Sequence, residues 1–147
     1  MIVIAEENER VLANKYYPNE EVYVMGVGIN AVKGLSLLPR DVVLHNVGYA
    51  GGWKLPIGTA VSVSVSKAHH PEYPYNEDGY NLPTKEGLLC VPCYTSLDFV
   101  TDHTGDDPCV FDMELVLICA MGFKVDSIKV VSDNLSINEY EQTIKAN

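Results

Sequence analysis

Arginine is nearly missing from this sequence. Among 147 residues only Arg10 and Arg40 occur, and lysine and arginine together number 10 against 20 acidic side chains, for a net charge of −10. The few basic residues are scattered, so the positive footprint that nucleic-acid binding requires is absent, and the acidic field disfavours polyanionic ligands. No run approaches the eighteen or so apolar residues of a membrane helix. Met1 to Ala5 lead into Glu6 and Glu7 without a basic segment or a small-residue cleavage site, which predicts a cytoplasmic location. The four cysteines include Cys90 and Cys93 as one C-x-x-C pair, but Cys109 and Cys119 do not form the second pair a zinc site needs. The first pair ends a strand-like run, where a redox motif would open a helix, so reduced structural thiols are expected. There is no internal repeat and no linker, and residues 1–147 read as one domain.

What is present is enough apolar material for a core, 47% of residues, distributed in alternating strand-like and helix-like segments. Strands are predicted at Ile2 to Ala5, Glu21 to Met25, Asp41 to His45, Thr59 to Ser66, Leu88 to Val91 and Ser127 to Ser132. Helices are predicted at Glu6 to Lys15, Asn30 to Leu38 and Cys109 to Met121, the last closed by Gly122. Ile137 to Ile144 is a further helix candidate. Such alternation predicts an α/β sheet core. His70 to Thr84, rich in Pro, Tyr, Asn and Asp, is the one long loop, and its tyrosines suit a pocket lid or a subunit contact.

The segment from Val110 to Asn134 carries the chemistry. Val110-Phe111-Asp112-Met113-Glu114-Leu115 leads into an apolar helix, and Val130-Val131-Ser132-Asp133-Asn134 closes the strand that follows, so Glu114 and Asp133 mark the two ends of one unit. Glu114 is either a first-turn acid complementing the helix dipole or, because Leu115 to Ala120 is apolar all round, a buried and partnered carboxylate. Asp133 is either an N-cap for the following helix or an acid at the C-terminal end of a strand, where α/β sheets gather ligands.

Together, Asp112-Met113-Glu114 and Ser132-Asp133-Asn134 resemble the V-E-M-E and S-D pair of the nucleoside phosphorylase and nucleosidase superfamily, most closely its methylthioadenosine/S-adenosylhomocysteine nucleosidase branch. Three more segments match in the same order. Gly26-Val27-Gly28 resembles an early G-x-G turn, Asn46-Val47-Gly48-Tyr49-Ala50-Gly51-Gly52 a glycine-rich N-x-G-x-A-G-G loop, and Thr95-Ser96-Leu97-Asp98-Phe99-Val100 an S-G-D-x-F segment. The resemblance spans nearly the whole of a chain shorter than usual for the family, the shortening falling at 16–21, 70–86 and the C-terminus. It implies a reduced three-layer α/β/α sandwich around a central mixed sheet, assembled as a homodimer and needing no metal or cofactor.

The same resemblance implies hydrolysis of the N-glycosidic bond of a purine nucleoside or 5′-thionucleoside. A purine leaves well only when N7 is protonated, and the ribose then develops oxocarbenium character that carboxylates stabilise. Asp133 would be the acid, Glu114 and Met113 would hold the sugar, and Glu9 would orient the attacking water, with Glu6 and Glu7 competing for that register. Phe99 and the Val100 backbone would hold the base; Gly28, Gly51 and Ser132 would border the ligand. Departures are Asp112 for the family's first glutamate, Lys129 where arginine is frequent, and the rings of Tyr49 and Trp53 in the glycine-rich loop; His45, His69 and His70 are further polar candidates. The alternatives are a purine nucleoside phosphorylase and a catalytically silent nucleoside-binding domain. Phosphorolysis needs oxyanion ligands. Arg40 is expected at the edge of the sheet opposite the ligand, and the Met25 to Asn30 turn holds no Ser or Thr, so Arg10 is the sole arginine candidate and water the expected nucleophile.

Overall fold

The computed structural model describes residues 1–69 and 79–146. Among these residues eight strands share one mixed sheet: β1 (Ile2–Ile4), β2 (Val22–Val24), β3 (Val43–Trp53), β4 (Ala60–Ala68), β5 (Tyr80–Asn81), β6 (Leu89–Thr95), β7 (Cys109–Asp112) and β8 (Lys124–Asp133). Helices α1 (Arg10–Tyr16) and α4 (Ile137–Ala146) lie outside the sheet on one side, and α2 (Asn30–Leu35) and α3 (Leu115–Ala120) pack into the main core. The alternation of elements thus gives an α/β fold with a mixed sheet.

The sheet does not stay open as a three-layer stack requires. β8 runs parallel to β3 along one edge and antiparallel to β4 along the other, and β3, β7, β6, β4 and β8 therefore close into a five-stranded ring. Strands of nine to eleven residues accumulate enough twist to curl, and two register shifts, at Ala50/Gly51 and between Val63 and Ser66, sharpen the bend. Closure gives each of these five strands a partner on both sides over part of its length. One core cluster draws Ala50, Val61, Cys93, Val110 and Val131 from the five ring strands.

Three segments differ from expectation. The glycine-rich stretch Asn46 to Gly52 is strand throughout, because small residues are needed where other groups press on β3: a Cβ on Gly48 would lie 2.6 Å from Glu9 Oε2, and one on Gly52 2.6 Å from Val131 Cγ1. Cys109 to Asp112 is a strand and not the first turn of a helix. Val110 and Phe111 pair with both β3 and β6, and the Asp112 carboxylate accepts a hydrogen bond from Leu115 N (2.9 Å), so the helix can begin only after it. Glu6 to Lys15 divides into a 3-10 turn at Glu7–Glu9 and α1. β6 and β8 extend beyond the expected limits, and Pro92 fits inside β6 because it sits beside the register shift of β4. Of the long loop, 70–78, including His70, lie outside the described residues, and Tyr80–Asn81 forms a short strand on β4.

Along one edge of β3 the partner changes. β1 pairs with His45 and Asn46, β7 pairs with Gly51 to Trp53, and the residues between have no strand neighbour on that side. Tyr49 N falls in this split and donates instead to Glu9 Oε2 at 2.8 Å. A carboxylate thus takes the place of a strand, and a cleft opens there, as crevices do where strand order changes in α/β sheets.

Candidate functional site

Glu9 is fixed from two directions. It ends the 3-10 turn after β1, its Oε1 accepts from Ala5 N (2.8 Å) and its Oε2 from Tyr49 N, and the side chain is buried against Gly48. Burial raises its pKa against the opposing pull of Lys129 and the two amides. Of its rivals, Glu7 is exposed and paired with Arg10 (2.8 Å), whereas Glu6 also borders the cleft. Arg10 is thereby committed at the surface. Arg40 donates to Met121 O and lies over the Phe123 ring, near the start of β8 and so at the end of that strand opposite Asp133.

Asp133 is the last residue of β8 and is fully buried. Ser132 Oγ donates to its Oδ1 (2.6 Å) and Ser136 N to its Oδ2 (3.3 Å). The hydroxyl that caps α4 belongs to Ser136, which accepts from Glu139 N (3.4 Å), while Glu139 reaches back to Asn134 N (3.0 Å). The N-cap role proposed for Asp133 therefore falls mainly to Ser136, three residues on. Burial raises the Asp133 pKa, and the hydrogen bonds from Ser132 and Ser136 offset part of the rise. Gly51 is its register partner on the neighbouring strand β3: a Cβ there would lie 3.3 Å from Asp133 Oδ2 and 3.1 Å from Leu135.

Glu114 is buried at the start of α3, and its Oε2 accepts from Gly28 N at 2.7 Å. Gly28 takes a left-handed φ of +60°, which aims that N–H at the carboxylate. Burial first, then the neighbouring Asp112, pushes the Glu114 pKa up to about 8. Asp112 itself is held by Thr95 Oγ1, by Leu115 N and by Lys129 Nζ at 3.1 Å. Burial alone would push the lysine pKa down, but Asp112, Cys93, Glu114 and Glu9 outweigh it and leave the pKa raised. One ammonium therefore serves three buried carboxyl groups, and burial, which that single charge only partly offsets, is what raises Glu9 and Glu114.

One open cleft is bordered by Glu9, Met113, Glu114, Ser132 and Asp133. Gly51, Phe99 and Val100 border it too, on β3 and on the loop after β6. Gly28 reaches it only through its bond to Glu114. Tyr49 lies on the wall, whereas Trp53 points away, its indole donating to Gly105 O (2.9 Å). His45 pairs with Asp126 (2.8 Å) and His69 packs on Tyr94 and Phe111. All four cysteines are free thiols; Cys90 and Cys93 occupy β6, one exposed and one buried.

Sequence reasoning assigned no role to Lys129, Tyr140, Phe111 or Val27, although the last three line the cleft. For Lys129 a signal existed. Strand alternation places it on the face of Val125, Val131 and Asp133, all buried, so a lysine there must be paired. Tyr140 gave none, since a tyrosine on a polar helix is unremarkable in sequence.

Among the described residues no helix is long and apolar enough to cross a membrane, and no group of three or more His, Cys, Asp or Glu side chains converges as a metal site. No family model matches the chain, and no curated protein matches it in sequence. Its fold nonetheless has known counterparts: the chain has the fold of the 5′-methylthioadenosine/S-adenosylhomocysteine nucleosidases. A nucleosidase of Chlamydia trachomatis superposes with a TM-score of 0.78 at 19% identity, over 99% of this chain and 87% of that one. The same protein bound to methylthioadenosine gives 0.76 at 18% identity, over 99% and 87%. An S-adenosylhomocysteine nucleosidase of Streptococcus pyogenes in complex with 5-methylthiotubericidin gives 0.72 at 15%, over 97% and 88%.

Proposed function

We propose that this protein hydrolyses the N-glycosidic bond of a purine nucleoside or 5′-thionucleoside, releasing free base and free sugar. The observation that carries the reading is the convergence of three differently supported carboxyl groups, Asp133, Glu9 and Glu114, on one cleft. Asp133, whose raised pKa favours the protonated form, donates to N7 of the purine while the bond from C1′ to N9 breaks and its electron pair passes into the base. Ser132 holds the Asp133 carboxyl through its short hydrogen bond. Phe99 packs against the base and the Val100 backbone reads its edge.

Water completes the reaction. Glu9 is anchored by two amides, and a carboxyl group with a raised pKa is a better base; it orients a water, accepts its proton as the oxygen bonds to C1′, and stabilises the oxocarbenium ion. Glu114 exchanges part of its contact with Gly28 N for the 2′ and 3′ hydroxyls, with Met113 against the sugar. Hydrolysis is favoured over phosphorolysis because Arg10 is tied to Glu7 and Arg40 to Met121, which leaves no arginine at the cleft. The reading extends to a single-domain cytoplasmic protein that assembles as a homodimer.

The test is a panel of purine nucleosides assayed for free base and reducing sugar in phosphate-free buffer and in phosphate. Base and free sugar are expected in both buffers at the same rate. Strict dependence on phosphate with accumulation of sugar 1-phosphate overturns hydrolysis, and no base release in either buffer overturns the enzyme reading.

A further inference from the structure

Two polar side chains on the wall of the cleft have no part in the proposed reaction. Tyr140 Oη donates to Glu6 Oε1 at 2.9 Å, and Asn8 Nδ2 donates to the same oxygen at 3.1 Å. Among the described residues no hydrogen bond reaches the other oxygen, Oε2, and Glu6 borders the cleft with that acceptor unspent. Glu6 stands three residues before Glu9, just ahead of the 3-10 turn that follows β1, and Tyr140 seven residues after Asp133, on α4. Their bond therefore bridges the segment that carries the proposed base and the one that carries the proposed acid, and the Tyr140 ring meets Phe99 edge-on at 5.9 Å.

A nucleoside offers such a wall one arm. Its base is assigned to Phe99, Val100 and Asp133, its 2′ and 3′ hydroxyls to Glu114, and the attacked face of C1′ to Glu9; the exocyclic 5′ carbon is what remains. From this pairing of unassigned groups we infer that Glu6, held by Tyr140, selects the 5′ end of the substrate, and that it takes a 5′ hydrogen-bond donor, hydroxyl or amino, in preference to an alkylthio group. This rests on the nucleosidase reading and narrows its substrate class. A thioether placed against Glu6 strips water from a carboxylate and returns no hydrogen bond, whereas an O–H or N–H returns one. A site built for a donor discriminates strongly against the analogue that lacks it. Asp98 also lines the cleft but is exposed, so water serves it in either case.

The experiment compares adenosine, 5′-amino-5′-deoxyadenosine and 5′-methylthioadenosine, by kcat/KM for base release with the unaltered protein and by calorimetric Kd with Asp133→Asn. Glu6→Leu and Glu6→Gln are measured alongside in both formats. The unaltered protein should favour the hydroxyl and amino compounds over the methylthio compound by roughly tenfold or more. Glu6→Leu should reverse that order. Glu6→Gln conserves shape and the contact with Tyr140, so it should keep the hydroxyl preference over the methylthio compound but lose rate and affinity for the amine, whose cation no longer meets a carboxylate; this variant guards against a Leu form that fails to fold. Equal kcat/KM for all three compounds, a methylthio preference, or an order unmoved by either substitution overturns the inference while leaving nucleoside hydrolysis intact. Ordered binding without any base release supports the inference and sinks the hydrolase reading. Neither binding nor release sinks both.

Discussion

Replacing Lys129 with methionine tests the charge arrangement on which the site depends. The residue is 1% exposed and its Nζ lies 3.1 Å from Asp112 Oδ2. Asp112 cannot follow a lost partner toward water, because Thr95 Oγ1 and Leu115 N hold it at the start of α3. Methionine fills most of the volume, so the change is chiefly electrostatic: three buried carboxyl groups lose their one cation. Removing one member of a buried ion pair costs about 3–5 kcal/mol, a large share of the roughly 5–15 kcal/mol that stabilises a domain.

The deficit should depend on pH in a fixed sense. A group whose folded pKa is raised contributes stability that is complete below its unfolded value and is lost as pH rises through the folded value. Glu114, raised from 4.5 to about 8, behaves so in the unaltered protein. Without Lys129 the folded Glu114 rises further, and because parent and variant share one unfolded value their stabilities diverge only between their two folded values, so this part of the gap between Lys129→Met and the parent should widen as pH rises above about 8. Urea unfolding at four pH values reads this as a shift of midpoint at constant slope. Adding Asp112→Asn to Lys129→Met should recover part of the loss, since a neutral pair carries no uncompensated charge. A Lys129→Met protein as stable as its parent at pH 8, or a deficit that does not change with pH, refutes the reasoning.

Asp133→Asn should lower base release by roughly 10²–10⁴ with circular dichroism and melting temperature near those of the parent, since the amide keeps the Ser132 contact but has no proton to give; retained turnover removes Asp133 as the acid. Glu114→Gln should weaken ribosides by about 1.5–3 kcal/mol in kcat/KM and 2′-deoxyribosides by less, and equal losses on the two sugars would count against the hydroxyl contact. Gly48→Ala puts a methyl 2.6 Å from Glu9 Oε2 and must push the carboxylate off Tyr49 N. Its expected signature is at least a tenfold fall in kcat, with nucleoside Kd in the Asp133→Asn background little changed; unchanged kcat would free Glu9 of its assigned task.

Much of this protein is legible in its sequence because it depends on local pattern. Hydrophobic alternation marks the strands, Gly26 and Gly28 mark the turn before α2, and the acids Glu9, Glu114 and Asp133 each stand at the border of an apolar run, where burial and solvent access meet. All three border the one cleft. What sequence left open was decided by long-range pairing. Nothing local says that β8 will take both β3 and β4 as neighbours, so the ring in place of an open stack is a property of registers between strands far apart in the chain. The glycines of β3 read as a loop until the side chains that press on them, Glu9 and Val131, are known. Cys109 to Asp112 reads as helix because an apolar run has no period of its own, and only pairing with β3 and β6 makes it a strand. Tyr140 and Glu6 are 134 residues apart and meet only because α4 packs back against β1 and α1. Composition and periodicity determined which residues could be buried; the tertiary structure decided which buried charges would share a counter-ion, because that depends on distances no single segment contains.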